Sequence, residues 1–186
     1  MLRSERAGWP GWGAAGYTIM ELSVGVAITG IMAAVSMPNM VETIQRYRAD
    51  GASRQVMADL RYAQSQAISR GMEGRIVIYS DAGVATGSGN ANDAAKANRY
   101  RVELRPTGGA WPAVTDTMAS NSNVLSEWLD LAHDFNQSVT TPNAVVFTSR
   151  GSLQNSASNL NIVLQTRSTG RVRTVRTHLS GLVEIL

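Results

Sequence analysis

The chain has 186 residues, a formal charge of +3 and no cysteine, which is enough for one domain and an anchor but not for two comfortable cores. The missing cysteine excludes a disulfide framework, a thiolate metal site and a thiol nucleophile. The small net charge hides an uneven distribution: from Arg150 onward five arginines face a single acid, Glu184.

Residues 1–16 carry Arg3 and Arg6, partly offset by Glu5, and end in Gly16. Gly16-Tyr17-Thr18-Ile19-Met20-Glu21-Leu22 then opens an almost unbroken apolar run to Met37. Tyr17 to Met37 is 21 residues, and about 20 span a bilayer. A carboxylate at the centre of such a span costs about 2.5–3.5 kcal/mol, less near the interface, so Glu21 asks for a partner. Cutting after Gly16 would create one: Tyr17 gains an ammonium group four residues from Glu21, on the same helical face. A secretory signal with Ala34-Val35-Ser36 as its cleavage site is one alternative. A simple membrane anchor is another, but it leaves Glu21 unexplained.

Basic leader, Gly16, aromatic Tyr17, Glu21 at the fifth mature position and the apolar helix together resemble the amino terminus of type IV pilins and type II secretion pseudopilins. Tyr17 stands where the family usually has Phe. Pro38 falls where many pilins carry a proline that kinks the helix. The resemblance implies cleavage between Gly16 and Tyr17 and methylation of the Tyr17 amine by a prepilin peptidase/methyltransferase. It also implies that Glu21 acts in assembly. Residues 1–16 are then a leader and 17–40 the membrane half of the first helix.

Beyond Pro38, the apolar positions Ile44, Tyr47, Val56, Leu60, Ala63, Ala67 and Ile68 recur mostly at helical intervals, which predicts an amphipathic half over 41–71. Leu60, Ala63, Ala67 and Ile68 form the expected packed stripe, with Arg61 and Arg70 on the wet side. Gly51 is a weak point and Gly71 a stop. The segment Asp59 to Gly71 is similar to the end of the spine helix in the GspH/FimT group of minor pilins.

Residues 72–186 read as a β-rich head. Arg75–Tyr79, Arg99–Leu104, Ala144–Phe147, Leu160–Leu164, Val172–Thr177 and Leu182–Ile185 are short, β-branched runs between turn residues, and several alternate charged and apolar as a sheet with one wet face should. Ala82–Asn98 reads as a loop, whose Thr86-Gly87-Ser88-Gly89 lacks the Lys of a phosphate-binding loop. Asn121–Phe135 fits either a short helix or a strand edge. The fold class is α+β: a long amino-terminal helix packed on an antiparallel head, as in pilins.

Catalysis finds no support in the pattern. His133 and His178 sit in no metal-binding spacing, no nucleophile elbow is present, and Asp130 with Asp134 reads as an exposed acidic pair. No cofactor is implied. Gly170-Arg171-Val172-Arg173-Thr174-Val175-Arg176 is the remaining candidate. On a strand, Arg171 and Arg173 share a face about 7 Å apart, similar to the spacing of successive phosphates along DNA, while Arg176 falls on the other face. The segment resembles the Gly-Arg-x-Arg element associated with DNA binding in FimT-type pilins, and Arg150 and Arg167 would extend it. A solvated edge strand after a Gly170 turn looks the same.

The reading is therefore a minor pilin or pseudopilin, single-pass in the bacterial inner membrane with a periplasmic head. Its partners are the peptidase, other major and minor pilins or pseudopilins and the inner-membrane assembly platform. Capture of double-stranded DNA for uptake is the alternative, and a membrane-anchored periplasmic enzyme is a distant third. One amino terminus serves both type IV pili and type II secretion systems.

Overall fold

A computed structural model describes residues 17–85, 90–140, 144–154 and 158–186. Residues 1–16, expected to form a leader ending in Gly16, and the glycine-rich run at 86–89 lie outside the described residues. The chain divides after Val41 into two units, with helix α1 (Ile19–Arg70) assigned continuously through both and through Pro38.

In the first unit every described side chain from Tyr17 to Val41 is exposed. The helix contains an 18-residue window of mean hydropathy 1.8, long and apolar enough to cross a membrane. An apolar helix on which none of the described residues packs matches a lipid environment better than water. Its hydroxyls turn back on the helix: Ser23 Oγ donates to Met20 O at 2.8 Å, Thr29 Oγ1 to Gly25 O at 2.9 Å and Ser36 Oγ to Met32 O at 2.8 Å. Such bonds satisfy donors that hydrocarbon cannot.

In the second unit α1 presents a buried stripe of Ala49, Ala52, Ser53, Val56, Leu60, Ala63 and Ala67, spaced at three and four residues. The predominance of Ala lets strands approach the helix closely. Ile44 and Tyr47 do not join the stripe; they lie on the side turned away from the sheets, 41% and 74% exposed. Ile68 is likewise exposed, contrary to the sequence expectation, because it lies a quarter-turn off the stripe. Gly51 does not interrupt the helix; its bare backbone receives the Phe135 ring. Gly71, at φ 63°, ends it. Gly71 N–H donates to Ile68 O and Met72 N–H to Ala67 O, the paired closure that favours glycine at this position.

Two four-stranded antiparallel sheets follow. Sheet A has the order β3-β2-β1-β5, from β1 (Glu73–Ile78), β2 (Arg99–Arg105), β3 (Leu129–Asp130) and β5 (Val145–Phe147). Sheet B has the order β4-β6-β7-β8, from β4 (Gln137–Val139), β6 (Leu160–Thr166), β7 (Val172–Thr177) and β8 (Val183–Ile185). Ile76, Ile78, Tyr100, Val102, Val145 and Phe147 of sheet A share one core with Val139, Ile162, Leu164, Val175 and Val183 of sheet B and the α1 stripe. Asn98, held at φ 59°, stitches the sheets: its Oδ1 accepts from Val139 N at 2.8 Å and its Nδ2 donates to Asp81 Oδ1 at 2.6 Å.

All six expected strands are present. The ambiguous 121–135 stretch resolves into a bridge from Val124 to Glu103, β3, and helix α2 (Leu131–Phe135). Asp130 is not an idle surface acid: it caps α2, accepting from Ala132 N and His133 N, and pairs with Arg99 at 3.1 Å. Strand β4 carries no alternating signal; its Gln137 is buried by bonding Thr166 of β6.

The wet face expected on β1 and β2 is dry. Arg75, Arg101 and Glu103 are at most 1% exposed, although they point away from the core. Segment 106–128 covers them.

Candidate assembly site and the arginine-bearing hairpin

The amino-terminal site begins with Thr18. Its backbone N–H donates to Glu21 Oε2 at 3.1 Å, its Oγ1 donates to the same oxygen at 3.2 Å, and Glu21 N–H donates to Thr18 Oγ1 at 3.2 Å. This is a reciprocal capping box, Thr-x-x-Glu, which meets two otherwise orphaned donors of the first turn. Glu21 is therefore held by Thr18, a residue whose part sequence reasoning overlooked although the Thr-x-x-Glu spacing carries it. The described bonds to the carboxylate all use Oε2; Tyr17 stands one residue ahead, at the chain position that cleavage would turn into an ammonium.

The carboxyl-terminal arginines sit on the β6–β7 hairpin and its surroundings. Thr166 N–H donates to Arg171 O, Gly170 N–H donates to Thr166 O, and Gly170 takes φ 67° to close the turn. The strand that follows is not an edge strand: β7 lies between β6 and β8. Arg173 shares a face with Val175 and Thr177, whose side chains are buried. Arg171 and Arg173 therefore sit on the sheet face directed at α1, and Arg176 on the opposite face.

Among the described residues, each of these cations except Arg150 has a carboxylate neighbour. Arg171 Nη2 reaches Glu42 Oε1 at 3.4 Å and Arg173 Nε reaches Asp50 Oδ1 at 2.9 Å, both on α1. Arg176 lies 3.6 Å from Glu184, which also contacts His178 at 2.8 Å, and Arg167 reaches Asp81 at 2.8 Å. Arg150 is exposed on the turn after β5. The five arginines are thus dispersed over four places rather than gathered in one track. Glu42 and Asp50, the helix acids that receive two of them, were not identified from the sequence, because pairing across more than 120 residues leaves no local pattern.

Glu42 is shared. Arg46 Nη2 also donates to its Oε1, at 2.6 Å. Hydrogen bonding and charge from Arg46, with a smaller contribution from Arg171, hold the Glu42 carboxyl below the usual carboxylate range. Glu42, Gln45, Arg46, Thr169 and Arg171 line a cleft of about 210 Å³.

Across the head, the covered face of sheet A is tied by charge and indole. Glu103 accepts from Arg75 Nε at 2.6 Å and from Arg101, and Glu73 accepts from Arg105 at 2.6 Å. Trp111 lies between Arg75 and Arg105, at 4.2 and 4.3 Å from its centroid. Trp128 lies near Arg101 and Lys96, at 4.6 and 5.0 Å. Arg101 also donates to the carbonyls of Ala113 and Asp116 at 2.6 and 2.8 Å. Deeper in the core Tyr100 donates its hydroxyl to Asp59 at 2.6 Å; burial first, then the Asp59 carboxylate, push its pKa upward.

Residues 52–181 match the family model described as type II transport protein GspH. Among solved structures, the chain is similar to the type IV minor pilin FimU of Pseudomonas aeruginosa, at 15% identity with a TM-score of 0.48, covering 76% of this chain and 90% of that one. It is also similar to the minor pseudopilin EpsH from the type 2 secretion system of Vibrio cholerae, at 11% identity and a TM-score of 0.49, covering 75% and 96%. No curated protein matches the chain.

Proposed function

The chain belongs to the GspH family, and on that premise we propose that it is a minor pilin or pseudopilin, a subunit of a type IV pilus or type II secretion filament. Residues 1–16 are a leader removed by prepilin peptidase after Gly16. Residues 17–40 hold the subunit in the inner membrane, 41–71 carry the spine onto the head, and 72–186 are the periplasmic head. Pilins or pseudopilins and the assembly platform are its partners, and the Tyr17 amine is methylated after cleavage.

The observation that carries this reading is the capping box at the start of the apolar stretch of α1. Thr18 fixes Glu21 in the first turn, its backbone N–H and its hydroxyl both donating to one carboxylate oxygen. A fixed anion facing an apolar phase favours the nearest available cation, and a freshly cut amino terminus, its own or a neighbour's, is that cation. Head-to-tail repetition of such a contact generates an open filament rather than a closed ring. DNA capture through Arg171 and Arg173 stays second, because both guanidinium groups already have a carboxylate on α1.

The test is incorporation. In cells assembling the filament, the purified subunit should begin at methylated Tyr17 by mass spectrometry, and Glu21→Ala should remove it from sheared filaments while leaving the precursor cut. A Glu21→Ala subunit found in filaments at the parent level would refute the assembly role.

A further inference from the structure

We propose that the pocket between α1, β3 and α2 receives the Arg54 side chain of a second copy of this chain, as a head-to-tail contact between neighbouring heads. The inference rests on the filament-subunit reading above and names one pair of surfaces for it.

Tyr100, Leu129, Leu131 and Phe135 give a pocket of about 260 Å³ its apolar wall, and Asp130 and Asp134 give it charge. That volume lies below the usual range of small-molecule sites, about 300–1,000 Å³, and suits one long side chain. The two acids differ in what they still offer. Asp130 is engaged by Ala132 N, His133 N and Arg99. Asp134 meets His133 through Oδ1 at 2.9 Å, and no described residue bonds its Oδ2. Asp59 adds a third carboxylate beside the pocket, accepting from the lining residues Gln55 and Tyr100 at 3.1 and 2.6 Å. Among the described residues Arg99 is the only arginine or lysine paired with any of the three. An apolar wall with surplus negative charge fits arginine, whose stem lies along apolar surface while its fork meets a carboxylate.

The chain carries the complement itself. Arg54 is exposed on α1, with no carboxylate partner among the described residues. A helix turns about 100° per residue, so Arg54 points about 100° away from Gln55 and about 140° away from Asp59. Pocket and arginine therefore occupy different sides of one head, and Arg54 of one copy meets the pocket of the next. Contacts between two unlike surfaces are the kind that repeat along an open filament. Other exposed helix arginines fit less well: Arg48 lies seven residues before Gln55, on the pocket's own side, and Arg61 already donates to Val183 O at 3.2 Å.

The test exploits the single lysine of the chain, Lys96: Arg54→Lys adds one new amine for carbodiimide coupling to carboxylates. The full chain carrying Arg54→Lys, mixed as equal light and heavy isotope portions in detergent micelles, should yield a mixed-isotope peptide pair joining position 54 to Asp134. Links confined to one isotope portion are internal to a copy and would overturn the proposal. Arg54→Glu and Asp134→Arg should each weaken self-association about ten-fold by sedimentation. An equal mixture of the two should recover it, because each variant keeps the half that the other lacks. Unchanged association in both variants, or no recovery in the mixture, would refute the contact. Urea midpoints equal to the parent's confirm intact folds, and Asp134→Asn replaces Asp134→Arg where that variant does not fold. Coupling of Asp134 through Arg150→Lys instead of Arg54→Lys would overturn the Arg54 assignment. In cells assembling the filament, coupling of Asp134 to a lysine of a different protein would overturn the second-copy assignment. Incorporation into sheared filaments reads the filament role separately: a chain that incorporates without the link refutes this contact alone, and one that does neither refutes both.

Discussion

Strands β2 and β7 alternate charged and apolar residues in much the same way, yet their charges end in opposite surroundings. On β2, Arg101 and Glu103 point away from the core and are still almost completely buried beneath segment 106–128. On β7, Arg173 points toward the helix side and stays about one-third exposed, paired with Asp50. Alternation therefore reports which side chains share a face and says nothing about whether water reaches that face. The difference lies in what each face is offered. Sheet A receives Trp111 and Trp128, flat indoles that stack on guanidinium groups and exclude water. Arg171 and Arg173, at the leading end of β7, meet two helix carboxylates instead.

Burial makes the β2 layer the more fragile of the two. Removing one partner of a buried ion pair strands the other, at about 3–5 kcal/mol, whereas an exposed pair contributes about 0–1 kcal/mol. Glu103→Ala removes the carboxylate that Arg75 and Arg101 share and should lower unfolding stability by about 3–5 kcal/mol in urea titrations. A loss no larger than about 1 kcal/mol would mean that water enters the layer and that the two strands are alike after all.

Trp111→Ala sharpens the same contrast at smaller scale. It deletes two cation–indole contacts, each about 0.5–2 kcal/mol, without unpairing a charge. Its effect should be local: amides of 106–116 exchange faster, while those of β1 and β2 keep their protection. Faster exchange throughout sheet A would show that the segment is part of the sheet's own cooperative unit.

How much was legible follows from the range of each signal. The six strands are carried by β-branched runs between turn residues, and the helix end by Gly71, all of them local. The capping box is equally local, carried by the Thr18-x-x-Glu21 spacing. Non-local facts left no pattern: the cover over Arg75 and Glu103 depends on where segment 106–128 folds back, and β4 forms because Gln137 finds Thr166. Ile44 and Tyr47 fit the helical spacing but not the packed side, since periodicity places residues on faces without saying which face the sheets choose.

Asp81 joins the two regions and gives the smallest expected effect. Its Oδ1 accepts from Asn98 Nδ2 at 2.6 Å, beside the start of β2, and from Arg167 Nη2 at 2.8 Å, at the hairpin before β7. These two bonds hold its carboxyl below the ordinary aspartate value. A depressed acid stabilises the fold fully above its unfolded pKa, about 3.9, and loses that contribution as pH falls through the lower folded value. Asp81→Asn should therefore be slightly less stable than the parent at pH 6, and the two urea midpoints should converge toward pH 2. Because the carboxylate is more than half exposed, screening keeps the gap at pH 6 to tenths of a kcal/mol, on the order of a surface pair, and salt should shrink it further. A gap that stays constant with pH would mean that Asp81 joins the two regions by shape and hydrogen bonding alone, with its charge contributing nothing.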